Sequence, residues 1–149
     1  MNIEIWTDGT SRPKMTNKKN KGKDGHSAGS MVIKSNDSVL LQESFYLGVI
    51  DNNQAEYCSF IKALKCAIDL NVEHVVFYTD SNLIEKQMNN KYSAHKDSII
   101  PYYDEAKNLL QSLKSWEVVW IPRTENREAD KLAYEFIKQW QLENITRDI

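Results

Sequence analysis

The chain has 149 residues, 41% of them hydrophobic and 27% charged, with a formal net charge of −2. This length is sufficient for one domain with a buried core, so we expect a single domain over residues 1–149. The sequence contains no run of 18 or more apolar residues, and no membrane span is expected. The N-terminus also lacks a secretory pattern, which favours a cytoplasmic protein.

Three strands are predicted at the start of the chain. Residues 2–8 alternate apolar and polar side chains, and 27–35 and 38–47 do the same on either side of an Asn36-Asp37 turn. Turn residues between two such runs are typical of a hairpin. The three strands are therefore expected to form an antiparallel meander.

The rest of the sequence alternates helices and strands. The predicted elements are a helix from about Asn53, a strand over 73–79, a short helix to about Asn89, a helix over 99–113, a strand over 116–121 and a helix from about Glu125 to Leu142. Strand–helix–strand units pair in parallel through right-handed crossovers. The expected class is α/β, with a mixed five-stranded sheet, three antiparallel then two parallel strands, and about four flanking helices. Residues 142–149 are expected to form a tail, and the nearly all-apolar strand 73–79 to be central.

Four carboxylates fall next to the ends of predicted elements. Asp8 and Asp80 each follow a strand, whereas Glu56 and Asp130 lie near the starts of helices. In open α/β sheets, ligands bind beyond the carboxyl ends of the strands. Four negative groups at one sheet edge repel one another unless a cation lies among them, and Mg²⁺ prefers oxygen ligands. The pattern therefore predicts a magnesium site.

Three of these acids also have an ordinary structural explanation. Glu56 could complete a capping box that starts at Asn53, and Asp80 could be a helix N-cap. Asp130 could simply interact favourably with a helix dipole. A carboxylate bound to a metal is not free to cap a helix, so the two interpretations of each residue compete.

A basic segment follows the first strand. Between Arg12 and Asp24 there are six basic residues and one acid. We expect a flexible basic loop over 12–25, and a basic segment beside an acidic site suits a polyanionic substrate. The alternative is a solvated loop that has no dedicated partner.

Four short motifs, in this order, resemble ribonuclease H, type 1. They are Asp8-Gly9-Thr10-Ser11 after the first strand, Asn52-Asn53-Gln54-Ala55-Glu56-Tyr57 at the first helix, Thr79-Asp80-Ser81 after the fourth strand, and Asn126-Arg127-Glu128-Ala129-Asp130-Lys131-Leu132-Ala133 on the last helix. Each motif alone is weak, but the match covers residues 1 to about 140. Their joint order outweighs the separate capping explanations.

The resemblance implies the ribonuclease H-like fold and endonucleolytic cleavage of the RNA strand of RNA–DNA hybrids. By position, Asp8, Glu56, Asp80 and Asp130 are the implied catalytic and metal-binding acids. Two Mg²⁺ ions, or Mn²⁺ in their place, are the implied cofactors. Asp8, the most central of the four acids in the strand order, is expected to bridge both ions. The implied products carry 5′-phosphate and 3′-hydroxyl ends, and we expect a monomer with no obligate protein partner.

The resemblance also implies residues that bind the hybrid. By position these are Asn52, Asn53 and Asn82, together with the backbone of Gly9 and Thr10, which is expected to approach a sugar closely. Each asparagine could instead be a cap or turn residue.

The sequence departs from the family pattern in three places. The loop 122–126 lacks the histidine that many members carry there, and Arg123 and Glu125 are candidate replacements. The basic helical handle after the second helix is missing, and the lysine-rich stretch replaces a short glycine-rich turn. We hypothesise that Lys18, Lys19 and Lys21 grip the nucleic-acid backbone instead of the handle. Neutralising them is then expected to weaken hybrid binding and to flatten its salt dependence; unchanged affinity and salt slope would contradict this.

Three alternatives stay open at this point. The first is a catalytically silent hybrid-binding module, although a pure binder gains nothing from acids near phosphates. The second is a 3′–5′ exonuclease of the same superfamily, against which the opening meander and the Asn52-Asn53 helix start argue. The third is a domain taken from a reverse transcriptase; a chain that begins with Met1 directly before a strand fits a free-standing protein better.

Overall fold

A computed structural model describes residues 1–12 and 25–144. The strands are β1 (Asn2–Arg12), β2 (Gly25–Ser35), β3 (Ser38–Ile50), β4 (His74–Thr79) and β5 (Trp116–Trp120). The helices are α1 (Asn52–Asp69), α2 (Asn82–Met88), α3 (Ile100–Leu110) and α4 (Arg127–Glu143), and a short 3₁₀ turn precedes α4 at Arg123–Glu125. The described chain therefore contains the predicted set of elements in the predicted order.

The five strands form one sheet in the order β3-β2-β1-β4-β5. β1, β2 and β3 pair antiparallel, and β4 pairs in parallel with both β1 and β5. The mixed sheet is confirmed. β4 lies inside the sheet as expected, but the central strand is β1, because β2 and β4 flank it.

β1 continues four residues further than predicted. Its pairing with β4 ends at Trp6 opposite Tyr78, whereas its pairing with β2 continues to Arg12 opposite His26. The expectation that Asp8 follows the end of the first strand was therefore wrong. Asp8 lies inside β1, at the point where β1 extends past the end of β4.

The two faces of the sheet are covered by different helices. The odd-numbered side chains of β1, such as Ile3 and Ile5, are buried on the side of α1 to α3. On this side the rings of Phe60 in α1 and Phe77 in β4 pack edge to face, with their centroids 5.2 Å apart. Burial of one such side chain stabilises the fold by about 1.5–3 kcal/mol. The even-numbered side chains of β1 face α4. This core fixes the sheet edge at which the acidic residues lie.

The β2–β3 turn has the backbone that the sequence indicated. Asn36 and Asp37 have positive φ angles of 50° and 65°, as a tight hairpin turn requires. Within the described ranges, no helix has both the length and the apolar composition needed to cross a membrane.

Candidate active site

Three carboxylates from three different elements converge at the sheet edge. Oxygen atoms of Asp8 in β1, Glu56 in α1 and Asp80 after β4 all lie within 4.8 Å of one another. They lie in an open cleft of about 330 Å³ that Asp130 of α4 also lines. The fold thus brings together the parts of the sequence that the motifs singled out.

Glu56 and Asp80 do not cap the helices next to them, because other residues do so. Asp51 caps α1: its Oδ1 accepts a hydrogen bond from the Gln54 N–H at 2.8 Å, and Gln54 Oε1 accepts one from the Asp51 N–H at 3.0 Å. The capping box therefore ends at Gln54, and the capping explanation of Glu56 was wrong. Ser81, whose Oγ accepts from the Ile84 N–H at 3.2 Å, caps α2, so Asp80 is not the cap either.

Gly9 allows β1 to touch the start of α1. A Cβ atom at this position would lie 2.4 Å from the carbonyl carbon and oxygen of Ala55 and 2.5 Å from the backbone nitrogen of Glu56. Any other residue would push the strand and the helix apart. The contact brings Asp8, which precedes Gly9 in β1, next to Glu56, which follows Ala55 in α1. The described structure thus gives Gly9 a packing role in addition to the predicted approach to a sugar.

Asn126 holds Asp80 in place, a role that the sequence analysis missed. The buried side-chain amide of Asn126 donates to Asp80 Oδ2 at 3.0 Å and to the Thr7 carbonyl at 2.8 Å. Trp120 Nε1 also donates to the Asp80 carbonyl at 3.1 Å. The sequence signals were its place at the start of the fourth motif and directly before α4, where an asparagine is typical of any helix start.

Asp130 lies beside the three clustered carboxylates and has a counter-charge. Its Oδ1 is 3.3 Å from Nη2 of Arg123, a largely exposed side chain that also lines the cleft. The position of Asp130 in the first turn of α4 agrees equally with a favourable interaction with the helix dipole. The sequence had singled out both residues, Arg123 as a candidate replacement for the histidine.

The carboxylates strongly disfavour one another's charge. Asp8 is only 5% exposed, and its burial together with the nearby Asp80 carboxylate raises the pKa of Asp8 to about 8. Burial and the Asp8 charge raise the pKa of Glu56 well above its usual range. Burial also raises the pKa of Asp80, although the Asn126 amide and the Arg123 guanidinium oppose this rise. The cluster is therefore poised to bind positive charge.

The residues expected to bind substrate fall into two groups. Thr10 and Asn52 line the acidic cleft with Gly9, and Asn52 Oδ1 accepts a hydrogen bond from the Ser11 N–H at 2.7 Å. Asn53 and Asn82 are exposed at the starts of α1 and α2, outside the set of residues that lines the cleft.

Two of the sequence predictions lie outside the described residues. They concern Lys18, Lys19 and Lys21 and most of the predicted 12–25 loop. The predicted tail is described only as far as residue 144, and α4 continues to Glu143, one residue beyond the expected helix end.

Among the described residues that line the cleft there is no histidine. His26 contacts Tyr46 and Trp140, His74 contacts Ser115 and Glu117, and His95 is exposed before α3. Of the two candidate replacements, Arg123 lines the cleft, whereas Glu125 lines a separate pocket with Trp6 and Lys34.

Comparison with known proteins agrees with this architecture. A family model described as reverse transcriptase-like matches residues 15–136. Ribonuclease HI of Halobacterium salinarum is 31% identical over 134 residues, which are 89% of this chain and 63% of that protein. The chain thus spans somewhat less than two thirds of that relative's length.

Solved structures agree with the fold in more detail. The crystal structure of RNase H1 from Halobacterium salinarum superposes with a TM-score of 0.82 at 28% identity and covers 93% of this chain and 99% of that chain. LC11-RNase H1 in complex with an RNA/DNA hybrid superposes with a TM-score of 0.78 at 27% identity, covering 89% and 94%. On its sequence and its fold, the chain belongs to the reverse transcriptase-like family and, within it, to ribonuclease H, type 1.

Proposed function

We propose that this protein is an endoribonuclease that hydrolyses the RNA strand of RNA–DNA hybrids with the help of divalent metal ions. The observation that carries the proposal is the cluster of Asp8, which is buried, with the partly buried Glu56 and Asp80 in an open cleft. Two relatives support it: one is named Ribonuclease HI, and the other was solved with an RNA/DNA hybrid bound.

The acidic residues fit a divalent cation. Glu56 Oε2 is buried and, among the described residues, has no hydrogen-bond partner. An unpaired buried carboxylate oxygen beside two further carboxylates is the donor set that Mg²⁺ or Mn²⁺ prefers. We infer that Asp8, Glu56, Asp80 and Asp130 would hold two such ions and that Asp8 would be the ligand common to both. When bound, two ions activate a water molecule and stabilise the departing oxygen of an in-line displacement, which leaves 5′-phosphate and 3′-hydroxyl ends.

The chain's own residues prepare this site. Asn126 fixes the orientation of the Asp80 carboxylate before any ligand arrives. Arg123 lies next to Asp130 at the open side of the cleft, where a guanidinium can interact with a phosphate oxygen or with developing negative charge. In this proposal Arg123 supplies part of the charge compensation at the place where the histidine of many relatives is missing.

Selection of the hybrid is proposed to rest on polar groups around the cleft. Thr10 and Asn52, with the backbone of Gly9, lie where they can contact sugars beside the scissile phosphate. Asn53 and Asn82 present exposed amides at the starts of α1 and α2. Contacts to 2′-hydroxyl groups distinguish RNA from DNA without reading the base sequence.

The remaining expectations concern the molecule as a whole. We infer a cytoplasmic monomer that forms one domain over residues 1–149. The sequence pattern supports this inference through one continuous alternation of elements without an internal repeat. Gel filtration with light scattering at micromolar concentration is expected to give the mass of one chain, 17.3 kDa.

Cleavage of four labelled substrates tests the proposed function. With Mg²⁺ or Mn²⁺, the protein is expected to cut an RNA–DNA hybrid and to leave single-stranded RNA, duplex RNA and duplex DNA intact. End analysis of the products is expected to give 5′-phosphates. Tight hybrid binding without cleavage under either metal would instead support the silent binding module. Stepwise shortening from a 3′ end would support the exonuclease.

A further inference from the structure

A cation that lines the cleft and an aromatic ring beside it follow the acidic residues Asp8 of β1 and Asp130 of α4. On β1, Asp8, Thr10 and Arg12 share the face toward α4, because side chains alternate along a strand whose register with β2 is unbroken. On α4, Asp130 and Tyr134 are one helical turn apart on one side. The guanidinium carbon of Arg12 lies 4.9 Å from the centre of the Tyr134 ring. The carboxylates of β1 and α4 are thus followed by a cation–aromatic pair.

Beside the acidic residues of the cleft, the charged side chains around this pair are positive. Lys138, one further turn along α4, places Nζ 5.9 Å from the same Tyr134 ring. In the described part of the chain, no carboxylate forms an ion pair with Arg12 or Lys138. The Tyr134 residue is 44% exposed. Uncompensated cations beside an accessible ring are the combination that binds a polynucleotide strand through its phosphates and its sugars or bases.

The spacing from the carboxylates suits a strand that passes through the cleft. Four residues of β-strand separate Asp8 from Arg12, about 13 Å, and one helical turn separates Asp130 from Tyr134, about 6 Å. A nucleic-acid strand advances about 3.4 Å per nucleotide along its helix axis. A strand whose scissile phosphate lies at the carboxylates therefore reaches Arg12 and Tyr134 after about two to four nucleotides.

We propose that Arg12 and Tyr134 form a second contact site for the strand that is cleaved. Arg12 binds a backbone phosphate, and the Tyr134 ring packs against the sugar or base next to it. The inference rests on the proposed function and adds to it a defined position on one strand. Because phosphates and ring faces carry no sequence information, the contact anchors the RNA strand on any sequence.

Steady-state cleavage kinetics of Tyr134→Ala and Arg12→Ala test this site. Each variant is expected to raise KM about threefold to tenfold and to leave kcat within about twofold, because the contact acts on binding at a distance from the reacting phosphate. Tyr134→Phe, which keeps the ring, is expected to behave like the unchanged protein. Lys114→Ala is a matched control for the loss of a cation: Lys114 pairs with Glu73 at the opposite sheet edge.

Shortened substrates separate a strand contact from a purely structural role. When the RNA strand ends one nucleotide from the cleaved bond on the side that reaches Tyr134, the variants and the unchanged protein should have the same KM. Hybrids shortened by the same length on the DNA strand should keep the difference. If the variants have unchanged KM on the full-length hybrid, or if shortening the RNA strand does not remove the difference in KM, the proposed contact is wrong.

A binding measurement separates failure of this inference from failure of the proposed function. Fluorescence anisotropy with a labelled hybrid in chelator needs no cleavage, and both variants are expected to raise Kd about threefold to tenfold. If both variants bind the hybrid more weakly but the unchanged protein never cleaves it, the proposed function is wrong and the contact stands. Alanine is a better helix former than tyrosine, and Tyr134 is exposed, so folding is expected to be retained and is checked by thermal unfolding.

Discussion

Asp8→Asn is expected to reduce hybrid cleavage about a thousand-fold or more. In the proposed mechanism Asp8 is the ligand shared by both metal ions, and asparagine supplies a neutral oxygen in place of a carboxylate. A loss of about 4 kcal/mol of transition-state stabilisation corresponds to this factor, since about 1.4 kcal/mol equals tenfold in rate. The measurement is single-turnover cleavage of a labelled hybrid at saturating Mg²⁺.

The matched control is Asp37→Asn. Asp37 is exposed in the β2–β3 turn, and asparagine tolerates its positive φ angle of 65°. This variant is expected to cleave at the unchanged rate. Cleavage by Asp8→Asn within tenfold of the unchanged protein would contradict the role of Asp8 as a bridging ligand.

The same Asp8→Asn change is expected to stabilise the metal-free protein at pH 8 by about 2–4 kcal/mol. The pKa of Asp8 is about 8 in the folded protein, compared with an ordinary value of 3.8. Such an acid contributes no penalty below pH 4, where it is protonated in both the folded and unfolded states. As the pH rises from about 4 to about 8, the unfolded chain releases the proton more easily, and the free energy of unfolding falls. Because neighbouring carboxylates share the repulsion, removing one charge relieves only part of it.

Thermal unfolding in chelator between pH 4 and pH 8 measures this effect. The melting temperature of Asp8→Asn is expected to exceed that of the unchanged protein by roughly 5–10 °C at pH 8 and by little at pH 4. Mg²⁺ at pH 8 is expected to stabilise the unchanged protein more than the variant, since only the former keeps the full set of carboxylates. Equal melting temperatures of Asp8→Asn and the unchanged protein at pH 8 would show that the charge of Asp8 does not destabilise the metal-free fold.

The sequence predicted the sheet and the elements that carry the candidate site because their signals are local. Alternation of apolar residues marked the strands, and the order of strands and helices implied the parallel pairing of β4. Asp80 was placed correctly because β4 ends where its apolar run ends. Asp8 was misplaced because the strand continues through polar residues, which carry no hydrophobic alternation and are held by pairing with β2.

The missed features depend on contacts between distant parts of the chain. The bond from Asn126 to Asp80 joins residues 46 positions apart, and no local pattern reports it. The α1 cap was assigned two residues too late because Asn53 and Glu56 fit the same motif as Asp51 and Gln54. Only the backbone angles and hydrogen bonds decide between two overlapping capping motifs.

The contact of Gly9 with Ala55 sets the separation of the backbones that carry Asp8 and Glu56 through main-chain atoms alone. No side-chain rotamer has to be correct for β1 and α1 to approach to this distance, because the missing Cβ defines it. The spacing of the backbone at Asp8 and Glu56 is therefore insulated from repacking of the core. Substitutions elsewhere in α1 can change the stability of the domain while this backbone spacing is kept. The hydrogen atom that Gly9 carries in place of a side chain thus sets how closely β1 approaches α1.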